Sequence, residues 1–411
     1  MLFWKRRFGA LRRNLFPFGW SNITKLAIAY FFSNLYFYLP VGTLYLQDKG
    51  LNYVQINSLW GIIVGTMFLT EAPTGILADR LGHKKAIVIA LALQLLGEVM
   101  YVLADCYALF ALTSVVAGVG FAFASGCVEA LAYDSLKAMG RQAEMSKAMG
   151  FIVAAQRAAN LIAFALSGVL IGVLTQARFV RAIVATACAV AAGWLMTWTL
   201  KPVPHDRPAS GTSSIQLLLD GVEALRANPR LWRLTLLALA TIPFRDYLGM
   251  YQSRLVGVGV TPAGLGLIQA AAAALSILSA RYAYWIAERL GGNAGLLLAT
   301  CLPGVLYLIA AATVHPAFSA LAFCLLSGSM SLRAPLLSGR LNPHIESRNR
   351  ATVLSLISML SGLYVAVMGL LIGRIGDRSL TWAFGLMGVV VLGGSFLFRV
   401  READRRASQC P

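Results

Sequence analysis

Ionisable residues inside long apolar stretches are the groups in this sequence best suited to chemistry. Glu71 and Glu129 are carboxylates of this kind, Arg157 is a base, and Arg245 and Asp246 form an adjacent pair of opposite charge. A charge in the middle of an apolar layer costs about 2.5–3.5 kcal/mol, which makes such residues functional candidates by default. Buried carboxylates can take up and release a proton, and an arginine at similar depth can respond to that change in charge.

The composition indicates the medium that surrounds these residues. Of the 411 residues, 58% are hydrophobic and only 13% are charged, and the mean hydropathy is +0.71. That leaves too little polar surface to coat a soluble globule of this size. Only helices and closed barrels satisfy their backbone hydrogen bonds in a bilayer, and the apolar stretches have the length of spanning helices, about 20 residues. We therefore predict an all-α membrane protein.

Twelve stretches are predicted to be membrane-spanning helices, numbered here as spans 1 to 12. Their predicted bounds are 22–47, 52–78, 86–104, 107–136, 148–173, 178–200, 231–256, 262–287, 293–313, 316–338, 350–374 and 379–399. A stretch rich in Pro, Ser and charge separates two sets of six. The predicted organisation is an N-terminal segment (1–20), a six-helix bundle (21–200), a linker (201–230), a second six-helix bundle (231–399) and a tail (400–411).

The formal net charge of +18 would suit a nucleic-acid partner, but the positions of the basic residues favour a bilayer and no nucleic acid. Of the 35 lysines and arginines, 21 fall in the N-terminal segment, the even-numbered loops and the C-terminal tail. This positive-inside pattern predicts that both termini are cytoplasmic. The aromatic and basic segment 1–20 either lies on anionic lipid or is a solvated tail.

The two sets of six helices repeat each other. ADRLG at 78–82 recurs as AERLG at 287–291, an offset of 209 residues, and GVLIG at 168–172 recurs as GLLIG at 369–373, an offset of 201. The first offset also aligns Asn52 with Thr261, and we expect these two residues to N-cap spans 2 and 8. Direct repeats of six helices keep one membrane orientation, which predicts parallel halves with a binding site between them.

The loop between spans 2 and 3 carries the most specific motif. Within TEAPTGILADRLGHKKA (70–86), the residues Gly75, Asp79, Arg80, Gly82 and Lys84 resemble the conserved loop motif of the major facilitator superfamily. The resemblance extends over nearly the whole chain, because the sequence has twelve predicted spans, divides evenly into two sets of six, and repeats the motif in degenerate form at 287–291. It implies a secondary transporter that works by alternating access, without a cofactor and as a monomer.

The resemblance also assigns roles to the loop residues. It implies that Asp79 contacts the N-terminal end of span 11, near 350–352, where the helix dipole favours an anion, and so latches the two halves in an outward-facing state. Asp134, at the end of span 4, is the acid that would hold the basic residues of the loop. We expect Gly75 to allow a close helix approach and Gly82 to allow a tight turn. His83 stands where the family usually has arginine, and it either makes the latch sensitive to pH or is inert.

Polar and aromatic residues near the middle of spans 1 and 7 are the candidate substrate site, because the resemblance places these spans at the central cavity. The candidates are Asn34, Tyr36, Tyr38, Arg245, Tyr247 and Tyr251. Aromatic rings with hydrogen-bonding tips suit amphipathic organic molecules. Tyrosines at helical spacing also serve as packing residues, and both alternatives are open at this stage. Pro40 and Pro243 predict bends in these spans.

The roles of the buried charges have alternatives too. Glu71 or Glu129 is the predicted proton carrier, whereas Glu129 and Arg157 could instead form a permanent structural ion pair. Asp246 is a further candidate for proton coupling. Glu98 lies toward the outer side of span 3 and is a weaker candidate than these acids. Arg333 in span 10 is either a gate or a residue whose charge reaches toward the cytoplasm.

A closer resemblance rests on EAPTGILADRLGHKK, SGCVEALAYDSLKAMG and RATVLSLISML together. They are similar to the bacterial exporters of drugs and natural products, which implies proton-driven efflux of drug-like, natural-product or siderophore-like compounds across the bacterial inner membrane. The alternatives are an importer of an anionic nutrient or metal chelate, attracted by Arg157, Arg245 and Arg333, and a lipid translocase or receptor. The four histidines are dispersed, and no nucleotide-binding loop or hydrolase motif occurs, so we predict neither an enzyme nor a metal site.

Overall fold

The described part of the chain is helical, and it confirms the prediction of an all-α membrane protein. The computed structural model describes residues 17–203, 223, 225, 226, 228–242, 244, 247, 249–341, 344, 345 and 350–399. These residues form fifteen α-helices, numbered α1 to α15. The predicted segments at the two termini and most of the predicted linker lie outside the described residues.

The helices of the N-terminal half are α1 (Asn22–Ser33), α2 (Gly42–Asp48), α3 (Tyr53–Leu81), α4 (His83–Leu103), α5 (Tyr107–Ala124), α6 (Cys127–Ala138), α7 (Met145–Ile171) and α8 (Gln176–Trp198). Those of the C-terminal half are α9 (Pro229–Ala240), α10 (Met250–Gly257), α11 (Pro262–Leu290), α12 (Gly292–Ala312), α13 (Pro316–Leu341), α14 (Arg350–Gly376) and α15 (Leu380–Leu397). Short 3-10 turns occupy Leu39–Val41 and Gln142–Glu144.

Ten helical segments of the described residues are long and apolar enough to cross a bilayer. They correspond to predicted spans 2–6 and 8–12, with α5 and α6 together forming span 4. The continuous helices predicted for spans 1 and 7 are wrong, because each is interrupted, between α1 and α2 and between α9 and α10. Pro40 explains much of the first break, since proline has no backbone N–H and disfavours helix in the residue before it. Span 4 is also broken, at Gly126, whose φ is +72°.

The chain divides into two compact units, described here separately. The first unit takes in Met1–Tyr38, Thr66–Leu166 and Ala177–Ala209, and the second takes in Leu39–Gly65, Ser167–Gln176 and Ser210–Pro411. The second unit therefore contains α2, the first part of α3 and the last turn of α7 together with the C-terminal half. This division follows neither the predicted domain boundaries nor the midpoint of the sequence.

Single-residue turns connect the second and third spans of each half, at repeat-related positions. Gly82 lies between α3 and α4 with a φ of +86°, and Gly291 lies between α11 and α12 with a φ of +78°. Only glycine adopts this backbone region without a steric penalty. Both turns leave the flanking helices nearly uninterrupted, which explains why ADRLG and AERLG are the most similar segments of the two halves.

Side-chain caps begin the second span of each half, and they confirm the N-caps predicted from the repeat. The Asn52 carboxamide oxygen accepts a hydrogen bond from the Gln55 N–H (2.9 Å), and the Gln55 side chain accepts one from the Asn52 N–H (3.0 Å). This reciprocal pair is a capping box. Thr261 Oγ1 accepts from the Gly264 N–H (3.3 Å) at the start of α11.

Two glycines let helix backbones meet closely inside the second unit. A Cβ atom on Gly168 of α7 would lie 2.5 Å from the Ala263 carbonyl oxygen of α11. A Cβ atom on Gly373 of α14 would lie 2.8 Å from the Tyr53 carbonyl oxygen of α3. Small residues at such contacts allow close helix packing in membranes.

These glycine contacts correct the repeat alignment of spans 5 and 11. Helices α7 and α14 are both 27 residues long, and their bounds differ by 205 rather than 201. Gly168 and Gly373 are also 205 residues apart and make equivalent contacts. The segments GVLIG and GLLIG have glycines at both ends, four residues apart, so the sequence comparison placed them one helical turn out of register.

The helix contact at Gly168 predicts a specific loss of stability. We expect Gly168→Ala to cost about 1–3 kcal/mol, because the added methyl group meets backbone atoms that cannot rotate away. Gly65→Ala in α3 is the matched control, since a Cβ there meets no atom within 4 Å. That control should be neutral or stabilising, because alanine favours helix over glycine by about 1 kcal/mol. Thermal unfolding of both variants in detergent measures the difference, and equal midpoints would contradict the contact.

Candidate functional site

Three charged side chains inside the spans of the first unit are exposed. They are Glu71 on α3, Glu129 on α6 and Arg157 on α7. At about 1.5 Å of rise per residue, all three lie roughly 13–18 Å from the helix ends at the even-numbered loops. Within the described part of the chain, no hydrogen bond or ion pair joins Glu129 to Arg157. The interpretation as a permanent ion pair therefore has no support in this arrangement.

Exposure at this depth has a chemical consequence. A charged group that faces lipid near the middle of a bilayer is costly, whereas one that faces a water-containing cavity is not. Glu129 also lies in the first turn of α6, after the break at Gly126, where the helix dipole favours a carboxylate. The first unit thus holds two carboxylates and one guanidinium that are available to protons or to a polar ligand.

The loop motif brings its basic residues against the end of span 4 and span 6. His83 Nε2 lies 3.8 Å from Asp134 Oδ2, and Lys84 Nζ donates to the Trp198 carbonyl oxygen (3.0 Å). Asp79 is half-buried and lies near the Cys127 thiol. The side chains at 350–352 lie outside the described residues, so the latch between Asp79 and span 11 stays a prediction.

Two other residues of the motif, Arg80 and Gly75, are exposed. A Cβ atom on Gly75 would meet no atom within 4 Å, so the close helix approach expected there is absent from this arrangement. Glycine at that position is not required by the packing that the structure shows.

The tyrosines and the asparagine of span 1 are bonded within the first unit. Asn34 Nδ2 donates to the Tyr30 carbonyl oxygen (2.8 Å) at the end of α1. The Tyr36 hydroxyl accepts from Gln94 Nε2 (2.8 Å), and the Tyr38 hydroxyl donates to Glu98 Oε1 (3.4 Å). These side chains tie the break of span 1 to α4, in addition to any contact with a ligand.

The tyrosines of span 7 are buried in the second unit. The Tyr247 hydroxyl donates to the Val365 carbonyl oxygen, and the Tyr251 hydroxyl donates to the Ser319 carbonyl oxygen (3.3 Å). The ring of Tyr251 packs against Phe323 and Phe384. Both tyrosines therefore have packing roles here. Arg245 and Asp246 lie outside the described residues.

Side chains from neighbouring helices satisfy the unwound backbone between α1 and α2. Gln94 Nε2 also donates to the Ser33 carbonyl oxygen (2.8 Å), and the Phe37 N–H donates to Thr186 Oγ1 of α8 (3.0 Å). Gln94 and Thr186 were not predicted from the sequence. The spacing of Gln94, Glu98 and Tyr101, four and three residues, does predict that these three side chains share one face of α4.

Arg333 of α13 donates hydrogen bonds to the end of α9, as Gln94 does to the end of α1. Its Nε donates to Thr241 Oγ1 (3.0 Å), and its Nη2 donates to the Ala238 carbonyl oxygen. A cation at a helix C-terminus is favoured by the helix dipole and bonds the last carbonyl groups. In this arrangement the guanidinium of Arg333 is used as a cap, and the two predicted alternatives, a gate and a side chain directed toward the cytoplasm, stay predictions.

The backbone after α9 adopts an unusual conformation. Phe244 is fully buried with a φ of +45°, a region that bulky side chains rarely adopt. Its ring stacks on Tyr364, and its carbonyl oxygen accepts a weak hydrogen bond from the Tyr307 hydroxyl (3.5 Å). The surrounding side chains hold this part of span 7 out of helical geometry.

Neutral polar contacts join spans 1 and 7 inside the second unit, and we call them the span 1–span 7 contact. The Gln252 carboxamide donates to the Leu39 carbonyl oxygen (2.9 Å) and accepts from the Thr43 N–H (3.0 Å), and Ser253 Oγ donates to Gln47 Oε1 (2.6 Å). Thr43 and Gln252 are 209 residues apart, which is the repeat offset. Repeat-related positions of the two halves therefore touch each other here.

Spans 2 and 11 are also bonded in the second unit. Asn57 Nδ2 donates to the Gly369 carbonyl oxygen (3.0 Å), and the Tyr53 N–H donates to Asp377 Oδ1 (2.6 Å). Among the described residues, no group of three or more His, Cys, Asp or Glu side chains could hold a metal ion.

The fold is similar to that of known transporters. A variant of the nucleoside transporter NupG aligns with a TM-score of 0.77 and 14% identity, over 92% of this chain and 99% of that chain. A POT family transporter in complex with a thioalcohol-conjugated peptide aligns with a TM-score of 0.71 and 13% identity, over 91% and 94% of the two chains. A bacterial homologue of the human lysosomal transporter Spinster aligns with a TM-score of 0.69 and 15% identity, over 92% and 95%.

At these identities the structural similarity describes the fold alone. No curated protein matches the sequence. The sequence model of the Major Facilitator Superfamily matches residues 26–251, more than half of the chain. Together with ten apolar helices long enough to cross a bilayer, this match shows that the protein is an integral membrane protein and belongs to the Major Facilitator Superfamily.

Proposed function

We propose that this protein is a proton-coupled exporter of small amphipathic organic compounds that works by alternating access. The observation that carries the proposal is the exposure of Glu71, Glu129 and Arg157 at mid-depth in the spans of the first unit. Charged groups at this depth need water or a polar ligand around them. In a cavity that contains water or a polar ligand, protons and cargo can compete for these charged groups.

The coupling follows from the change of charge at a carboxylate. Protonation of Glu71 or Glu129 removes a negative charge, which weakens the binding of a cationic or hydrogen-bonding cargo and changes the interaction with Arg157. A ligand shifts a conformational equilibrium only through different affinities for the two states. Protons that enter from the outside would therefore release the cargo there, and inward proton flow would drive efflux.

The span 1–span 7 contact suits a movement that is repeated in every cycle. Its bonds join amides, a hydroxyl and backbone groups, all of them neutral. Neutral hydrogen bonds contribute about 0.5–1.5 kcal/mol each, so a few of them can close a pathway and open again without a large barrier. A buried ion pair at this place would be far more costly to separate.

The rival function is import of an anionic nutrient or chelate, and it depends on arginines that are free to meet an anion. Arg333 is already bonded to Ala238 and Thr241. Arg157 is exposed, and Arg245 lies outside the described residues. Arg333 is therefore already occupied, and Arg157 is the described arginine on which the rival function depends. Nucleosides and peptides belong among the compounds to be tested, because transporters of both have the same fold.

Inside-out membrane vesicles test both the direction and the proton carriers. Respiration acidifies the lumen, acridine orange reports that acidity, and ethidium, rhodamine 6G, uridine or dialanine is added outside. We expect one of the dyes to discharge the gradient, since an exporter would move dye inward and protons outward. Glu71→Gln and Glu129→Gln should each reduce this response, one of them to the level of vesicles without the protein. Asp105→Asn, at an exposed loop position, is the control.

Two outcomes of this assay would contradict the proposal. Unchanged proton flux in both glutamine variants would mean that neither carboxylate carries the proton. No response to any dye, together with proton release from the lumen driven by uridine or dialanine loaded there, would indicate an importer, because a symporter carries substrate and protons out of the lumen together.

A disulfide across the span 1–span 7 contact tests the alternating-access part of the proposal. A Cβ atom on Gly249 would lie 3.7 Å from the Thr43 Cβ, within the usual Cβ separation of disulfides, about 3.5–4.5 Å. We expect Thr43→Cys combined with Gly249→Cys to cross-link on oxidation and to stop dye transport, and dithiothreitol to restore it. Each single cysteine variant is the control. Full transport by completely cross-linked protein would show that this contact need not open.

A further inference from the structure

Glu98 is the most deeply buried carboxyl group of the first unit's described residues. Its side chain is 7% exposed, although it lies within span 3. Its Oε1 accepts one long hydrogen bond from the Tyr38 hydroxyl (3.4 Å), and its Oε2 has no hydrogen-bond partner in the described structure. A buried ionised carboxylate normally has several donors or a cation beside it, because its desolvation is expensive.

The groups that face Glu98 carry no charge. Tyr36 and Tyr38 approach from the break of span 1, and Tyr101 approaches from its own helix, with its ring stacked on Tyr38 at 5.2 Å. Helix α5 packs along α4 and contains no acidic, basic or histidine residue, and the charged residues of α6 lie toward the other end of α4. None of the salt bridges between described residues includes Glu98. The pocket therefore suits a neutral carboxylic acid.

The position of Glu98 links it to the broken backbone of span 1. It shares a face of α4 with Gln94, which bonds the Ser33 carbonyl oxygen and the Tyr36 hydroxyl. Tyr38, which donates the hydrogen bond to Glu98, is the last residue of the first unit before the chain enters the second unit at Leu39. A change of charge at Glu98 therefore acts on the residues that hold the break between α1 and α2.

The repeat provides an internal comparison. Helices α4 and α12 are both 21 residues long and are offset by 209, which aligns Glu98 with Tyr307 and Tyr38 with Tyr247. The Tyr307 hydroxyl bonds the Phe244 carbonyl oxygen in the break of span 7. Both halves thus use this position to bind the broken first span, but only the N-terminal copy carries a carboxyl group. A tyrosine ionises only near pH 10 and stays neutral under physiological conditions.

We propose that Glu98 is a proton-binding site that controls the break of span 1, and this deepens the function proposed above. In the described arrangement the group is a neutral acid. Loss of its proton leaves a buried negative charge with one long hydrogen bond, and the segment 34–38 rearranges to give that charge water or further donors. Asn34 and Tyr36 move with this segment, so the proton at Glu98 determines which polar groups span 1 presents to cargo.

Infrared spectroscopy of the full chain in liposomes tests the site without any cargo. We expect the carbonyl-stretch band of a protonated carboxylic acid that disappears as the pH is raised, and we expect this band to be absent from Glu98→Gln. Tyr38→Phe should keep the band at a shifted frequency, because the hydrogen bond to the carboxyl is lost. Tyr307→Phe, at the repeat-related position, should leave the band unchanged. Persistence of the same band in Glu98→Gln, at unchanged frequency and intensity, or no such band in the natural protein, would overturn the proposal.

Cysteine labelling tests the link to the backbone break. In an Asn34→Cys background, we expect the rate of maleimide labelling, after correction for ionisation of the thiol, to change with pH. The same background with Glu98→Gln should show one constant rate. Equal pH dependence in the two proteins would refute the link. Neither measurement needs transport, so a protonation site at Glu98 with no dye flux would refute the exporter alone, and dye flux without the band would refute the Glu98 site alone.

Discussion

Backbone hydrogen bonding in a medium without water is the constraint on which this structure depends. Two of the spans leave helical geometry inside the bundle, and lipid offers no donors or acceptors to replace the lost bonds. The replacements come from side chains of other spans, as with Gln94 and Thr186 for span 1 and Arg333 for span 7. Such a break is stable only while those donors and acceptors stay in place. A change in the position or charge of one of them therefore moves the backbone as well.

The second unit combines two kinds of contact that have different roles. At Gly168 and Gly373 the backbones of neighbouring helices meet with no room for a methyl group, so these contacts fix the register of the helices. The polar contacts around Gln252 are neutral and replaceable, so they can be exchanged for contacts with water. Rigid helix pairs joined by exchangeable hydrogen bonds are suited to the body-like movement that the proposed cycle requires. That is the mechanical requirement of alternating access.

Much of the architecture could be predicted from the sequence, because long apolar runs, turn glycines and capping residues act locally. The all-α class, the spans and the N-caps at Asn52 and Thr261 are of this kind. Pro40 and Pro243 predicted bends, but the full extent of the breaks could not be predicted, because the apolar pattern of spans 1 and 7 continues through them and only tertiary contacts satisfy the freed backbone. The direction in which each side chain points could not be predicted either. Spacing alone could not show that Tyr247 and Tyr251 are buried. It also could not show that Glu98, the weakest candidate, is buried whereas Glu71 is exposed.

The two halves share a scaffold but differ in charge, and in the proposed function that difference couples the proton to one half of the transporter. Helices α3 and α11 are offset by 209, as are α4 and α12, so Glu71 and Glu98 correspond to Ala280 and Tyr307. If both halves carried the same ionisable groups, a proton would change the free energies of the two halves equally. It would then favour neither conformation of the transporter. Glu71 and Glu98 have no acidic counterpart in the C-terminal half, so in the proposed coupling their protonation changes the free energy of the N-terminal half. In the proposed cycle, binding and release of the proton favour different arrangements, so that a proton gradient would drive the exchange between them.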